Sequence, residues 1–127
     1  MVKSSDYQDL KVWQKAIDLT TVIYQLVKHL PNDERYAISD QMRRAVVSVP
    51  SNIAEGRGRG TNKEFVRYLL MSRGSLWELS TQLEICERLH YLDAEQTSGA
   101  RQMITEVSKM INALANSFIR DDSKNGD

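Results

Sequence analysis

Between residues 41 and 75 the chain carries seven basic side chains, Arg43, Arg44, Arg57, Arg59, Lys63, Arg67 and Arg73, against two acidic ones, Glu55 and Glu64. Guanidinium groups suit phosphate, because their planar fork holds two anionic oxygens at once. Lys63 and Arg67 stand one helical turn apart and share a face. The formal net charge of zero hides this segment, since residues 76–127 carry five basic groups and nine acidic ones. A polyanionic partner responds to local field rather than to net charge, so the cluster points to binding. The plainer alternative is a solvated surface whose charges pair within the chain.

Other residue types that do chemistry are sparse. A Glu-x-x-His spacing occurs once, at Glu87 and His90, and His29 is the one other histidine. A di-metal helix bundle needs that spacing on two helices, so neither a metal nor a cofactor is expected. Both histidines fall where helices should end, and donors are favoured there. Cys86 follows Leu79 and Leu83 on one apolar stripe and reads as a small buried hydrophobe. Gly56, Gly58 and Gly60 alternate, but they follow a helical pattern where phosphate-binding loops need a strand. No catalytic residue is assigned. Glu55 falls in the last turn of a helix, where a carboxylate opposes the macrodipole, and it should pair with Arg57, Arg59 or an arginine of the third helix.

The elements that must position these groups are four amphipathic helices, with no period-two segment. The first runs from Leu10 to Leu30 on a stripe of Leu10, Trp13, Ile17, Thr20, Ile23, Tyr24 and Val27, and Pro31-Asn32-Asp33 stops it. The second carries Tyr36, Ile38, Met42, Ala45, Val46, Val49, Ile53 and Ala54, with a kink or a break at Pro50 and a left-handed cap at Gly56. Thr61-Asn62-Lys63-Glu64 is a capping box opening the third, whose stripe is Phe65, Tyr68, Leu69, Ser72, Leu76, Leu79, Leu83, Cys86 and Leu89, ending at Tyr91. Ser72, Gly74 and Ser75 invite a close backbone, and Trp77, off the stripe, is placed at a subunit interface with Gly74. Asp93-Ala94-Glu95-Gln96 caps the fourth, which buries Ala100, Met103, Ile104, Val107, Met110, Ile111, Leu114 and Phe118. Residues 121–127 form a polar, frayed tail.

At 127 residues one core is expected, so the prediction is an all-α, single-domain, antiparallel up-down four-helix bundle over residues 1–127, with its core at about 7–118. A lone cysteine, no secretory leader and no spanning apolar run place it in the cytoplasm, away from membranes.

Three stretches are more specific: residues 7–16 (YQDLKVWQKA), 41–56 (QMRRAVVSVPSNIAEG) and 65–79, with Ser72-Arg73-Gly74-Ser75-Leu76 and Glu78-Leu79. Together they resemble the 23S rRNA intervening-sequence proteins, a family encoded within or near extra segments of bacterial 23S rRNA genes. Its fold is related to that of accessory proteins of diversity-generating retroelements. The resemblance covers about residues 7–118. It implies an antiparallel four-helix bundle, a barrel-like homopentamer with a basic surface, and binding to nucleic acid, RNA before DNA.

The leading expectation is therefore a non-enzymatic, oligomeric RNA-binding protein. An assembly protein that recruits a protein partner, such as a reverse transcriptase or a ribosome factor, through Trp77 is the alternative. A small endoribonuclease would have to rely on the lone Glu87/His90 pair.

Overall fold

In the computed structural model, which describes residues 6–34 and 37–125, a 3-10 turn at Tyr7–Asp9 leads into α1 (Lys11–Val27), and a second at Asn32–Glu34 precedes α2 (Ile38–Arg57). The helices α3 (Asn62–Arg88) and α4 (Ala94–Asn125) complete an all-α chain with no strand among the described residues. Tyr36, residues 1–5 and the last two residues of the tail lie outside the described residues.

One apolar core takes side chains from all four helices, including Leu19, Val46, Leu76 and Val107, each fully buried. Neighbouring helices meet at pairs whose numbers rise along one helix as they fall along the next. Met42 faces Cys86, Val49 faces Ser72, and Gly56 faces Tyr68. Likewise Arg101 reaches Glu87, Arg73 reaches Asn112, and Phe65 packs on Phe118.

The helix ends follow local chemistry. Thr61 Oγ1 accepts the Glu64 N–H at 3.2 Å, which starts α3. At α4 the box is reciprocal: Asp93 Oδ1 accepts the Gln96 N–H at 2.8 Å, and Gln96 Oε1 accepts the Asp93 N–H at 2.9 Å. The third helix stops at Arg88, three residues before the expected end. His90 adopts φ 62, Tyr91 N–H donates to Cys86 O at 2.9 Å, and His90 N–H donates to Glu87 O at 3.0 Å. This is the Schellman arrangement, with histidine in the left-handed position usually given to glycine.

Four expectations are corrected. The buried row of α1 is Val12, Ala16, Leu19, Ile23, Leu26 and Val27, of which the expected stripe contains only Ile23 and Val27. Trp13, Ile17 and Thr20 are half-buried beside α2, and Tyr24 is exposed. Gly56 does not cap α2; it lies inside the helix and is buried, because a Cβ there would stand 2.5 Å from Tyr68 Cβ. The cap is Gly58, and the left-handed residue of the turn is Gly60, at φ 91. Leu89, expected on the buried stripe of α3, is 51% exposed. The tail does not leave the helix at residue 121, since α4 continues to Asn125.

The second helix does not break at Pro50. Proline withdraws the N–H that Val46 O would accept, and Thr20 Oγ1, which donates to Ala16 O at 2.8 Å, lies 3.5 Å from that carbonyl. The ring is buried and lines a groove with Trp13, Ile17 and Ala54.

Candidate nucleic-acid interface

The α2–α3 seam decides where the basic residues go. Ser72 Oγ donates to Val49 O at 2.8 Å, and the Ser48 and Ser75 hydroxyls hydrogen-bond across the seam. With Gly56 lacking a side chain, the two helices close tightly just before the turn that joins them. That turn and its flanks hold Arg57, Arg59, Lys63 and Arg67.

Two aromatic rings organise them. The Arg57 guanidinium lies 5.5 Å from the centre of the Phe65 ring, and those of Arg59 and Arg67 lie 5.2 and 4.8 Å from that of Tyr68. Phe65 and Tyr68 are buried, so they fix the cations standing over them. Glu55, whose position at the end of α2 calls for a cation, takes Arg59: Nη2 and Nε reach its Oε2 at 2.8 and 3.1 Å. That hydrogen bond, then Tyr68 and the Glu55 charge, hold Arg59 further towards its charged form. Arg67 Nε meets Glu64 Oε2 at 3.4 Å.

A guanidinium has five N–H donors, so one carboxylate partner leaves donors for a phosphate. The Arg59 and Arg67 side chains are 46% and 57% exposed. Lys63 is exposed, with no acidic partner among the described residues. From Glu55 to Arg67 the turn carries four basic groups against two acidic ones. The seam thus presents a cationic corner whose arginines are already oriented.

The remaining basic residues lie elsewhere, so the seven do not form one patch. Arg44 pairs with Asp40 at 2.8 Å. Thirteen residues of helix separate it from Arg57, about 20 Å at the usual rise. Arg43, half-buried, lines a groove with Tyr24, Val47 and Ser51 on the side of α2 that faces α1. Arg73 turns to α4, donating to Asn112 Oδ1 at 2.9 Å, with its guanidinium 4.9 Å from the Trp77 ring. Gly74 and Trp77 are exposed on the outer side of α3, with open space around Gly74. That Phe65 and Tyr68 lie beneath these arginines escaped the sequence, which places both on the stripe of α3. Arg59 was among the partners expected for Glu55, whereas Glu64, read as part of the capping box, pairs instead with Arg67.

The Glu87/His90 spacing has a structural use. Arg101 Nη2 and Nε donate to Glu87 Oε2 at 2.7 and 2.9 Å, and Thr97 Oγ1 donates to it at 2.8 Å. The Arg101 hydrogen bonds, then that of Thr97, hold the Glu87 carboxyl below its usual range, opposite to what a general acid needs. Cys86 is buried 3.7 Å from Met42 Sδ, and burial pushes its thiol up to about 11. Among the described residues no three His, Cys, Asp or Glu side chains gather to hold a metal ion. No helix among them is long and apolar enough to cross a membrane.

The fold is therefore that of an all-α protein built on four helices. Residues 8–113 match the family described as 23S rRNA-intervening sequence protein, and the chain belongs to that family. A crystal structure of a protein of unknown function from the S23 ribosomal protein family of Bacteroides thetaiotaomicron is similar to it. The two are 25% identical at a TM-score of 0.76, over 82% of this chain and 97% of the other. Comparison with curated proteins gives no match.

Proposed function

We propose that the chain is a non-catalytic, homo-oligomeric nucleic-acid-binding protein whose α2–α3 corner contacts the phosphates of structured RNA. The observation that carries this reading is the corner itself, where Arg57, Arg59 and Arg67 stand over Phe65 and Tyr68 and Lys63 is exposed in the first turn of α3. Ordered arginines lose little freedom on meeting a phosphate, so binding is not offset by the cost of fixing long side chains. Contacts of this kind position a protein on a helix without reading bases, so recognition follows RNA shape more than sequence. Membership of an rRNA intervening-sequence family supports RNA over DNA.

Neutralising the corner with Arg59→Gln, Lys63→Gln and Arg67→Gln tests the proposal in a gel-shift or fluorescence titration with a structured rRNA fragment. At low salt the affinity should fall at least tenfold while the helical circular dichroism is unchanged. Arg44→Gln, about 20 Å away along α2, should change it less than threefold. Unchanged affinity in the folded triple variant would overturn the assignment of the corner.

A further inference from the structure

The third helix carries a second apolar row outside the core. Leu70, Trp77 and Ile85 are 37%, 59% and 42% exposed, and Gly74 and Thr81 lie between them at steps of three and four. The row stands on the flank of α3 nearest α4, since Arg73, whose guanidinium lies 4.9 Å from the Trp77 ring, donates to Asn112 of α4. Trp77 is the most exposed large apolar residue among those described, and no atom lies within 4 Å of where a Gly74 Cβ would stand. The indole is therefore a knob with an open approach.

A hollow that suits this knob lies on the next side of the bundle. Leu10, Val12, Met110, Ala113 and Leu114 line an apolar groove of about 390 Å³ between α1 and α4. An aromatic side chain gains most where it can bury its faces against aliphatic groups, and this groove offers such a lining with room for an indole.

Position relates the row to the groove. Along the bundle axis they stand at nearly one level. Trp77 is four residues past Arg73, and Met110 is two residues before Asn112 on the antiparallel α4, so the two differ by about 3 Å at the usual rise. Around the axis they face different ways, because α3 and α1 pack on opposite flanks of α4 and both also pack on α2. A contact that joins two different faces of each copy closes into a ring when successive copies turn without rising, and otherwise grows as a filament. The shared level removes the rise, and the neighbouring sides supply the turn.

The charges agree. Glu78 is exposed beside Trp77, and Lys11 is exposed at the rim of the groove. Neither has a salt-bridge partner among the described residues. With the row of one copy laid in the groove of another, each meets a charge of opposite sign.

We infer that Trp77 of each copy seats in the α1–α4 groove of the next, with Glu78 beside the Lys11 of that copy, and that repetition of this head-to-tail contact closes a ring. The inference rests on the homo-oligomeric part of the proposed function and names the two faces it uses. Because the faces differ, the ring holds an odd number of chains as readily as an even one, which suits the homopentamer that the family resemblance implies.

Light scattering after size exclusion should give the wild-type chain a single mass of more than two chains. Trp77→Arg removes the knob, and Ala113→Arg, at an exposed position, puts a charge into the groove. Each variant alone should be a monomer with unchanged helical circular dichroism. Mixed in equal amounts they should form a species of two chains and nothing larger, because the intact groove of one takes the Trp77 of the other and no second contact remains. Glu78→Lys and Lys11→Glu should each weaken assembly at least tenfold, and both together in one chain should return it to within threefold of wild type. Wild-type mass in either arginine variant, a mixture that stays monomeric, or a double charge variant as weak as the single ones would overturn the contact. A wild-type dimer would overturn the ring. A monomeric wild-type chain would overturn the homo-oligomeric reading with it. RNA affinity of the wild-type chain reports on the cationic corner separately.

Discussion

The seam between α2 and α3 and the seam between α1 and α4 are built on different principles. The first is closed by small residues and buried hydrogen bonds: Gly56 against Tyr68, Ser72 on the Val49 carbonyl, and Ser48 on Ser75. The second leaves an open apolar groove of about 390 Å³, lined by Leu10, Val12, Met110, Ala113 and Leu114, and carries a half-buried Lys15–Glu106 pair at 3.1 Å. Both seams bury apolar surface, but only the first joins consecutive helices and holds them close up to the turn between them. The cationic corner lies at the end of the closed seam. The difference teaches that the close approach around Gly56 orients the arginines as much as it stabilises the core.

Opening the closed seam should therefore have the largest effect. Gly56→Val would force α2 and α3 apart and cost about 3 kcal/mol in chemical denaturation. It should also weaken RNA binding, although no basic residue is touched. A matching enlargement on the other side, Ala113→Leu, fills open space and should change stability by less than about 0.5 kcal/mol. Equal losses at the two sites would erase the contrast between the seams.

Ser72→Ala should cost about 1 kcal/mol, because Ser72 is fully buried and its hydroxyl is a donor to the Val49 carbonyl. His90→Gly should have the opposite sign and raise stability by about 0.5–1 kcal/mol, since it relieves a non-glycine left-handed residue at the end of α3.

Acid should act on the α3–α4 contact and spare the α2–α3 seam, whose cross-seam hydrogen bonds join neutral groups. The Glu87 carboxyl is held below its ordinary value by Arg101 and Thr97. Its contribution is thus complete above the unfolded carboxylate range and is lost as pH falls through the lower folded value. Glu87→Gln should lower the neutral plateau and converge on the wild-type stability in acid, so that the loss below about pH 4 is flattened. The smallest effect belongs to Lys15→Ala, which removes one half-buried, solvent-screened ion pair of the open seam and should cost less than about 0.5 kcal/mol.

Much of the fold was legible because α3 and α4 each carry a regular core-facing stripe. Phe65, Leu69, Leu76, Leu83, Ala100, Ile104 and Ile111 are where periodicity puts them. The first helix was harder because two apolar rows overlap. The large Trp13 and Ile17 draw attention from a buried row that includes the small Ala16. Gly56 looked like a cap because two more glycines come after it. Its use depends on Tyr68, twelve residues on and across the seam, which no local pattern contains. The basic cluster was legible as a density along the chain, but seven residues close in sequence diverge once Arg43 and Arg44 fall on the far half of α2 and Arg73 turns to α4. The corner that remains depends on rings beneath the arginines, and a stripe pattern shows such rings only as core.

The measurement that tests the central claim most directly is RNA affinity across a salt series, for the wild-type chain and for the corner variant Arg59→Gln, Lys63→Gln, Arg67→Gln. Four cations meeting phosphates predict a log–log slope of roughly −3, falling to about −1 in the variant. A wild-type slope near zero, or the same slope in both proteins, would contradict the account.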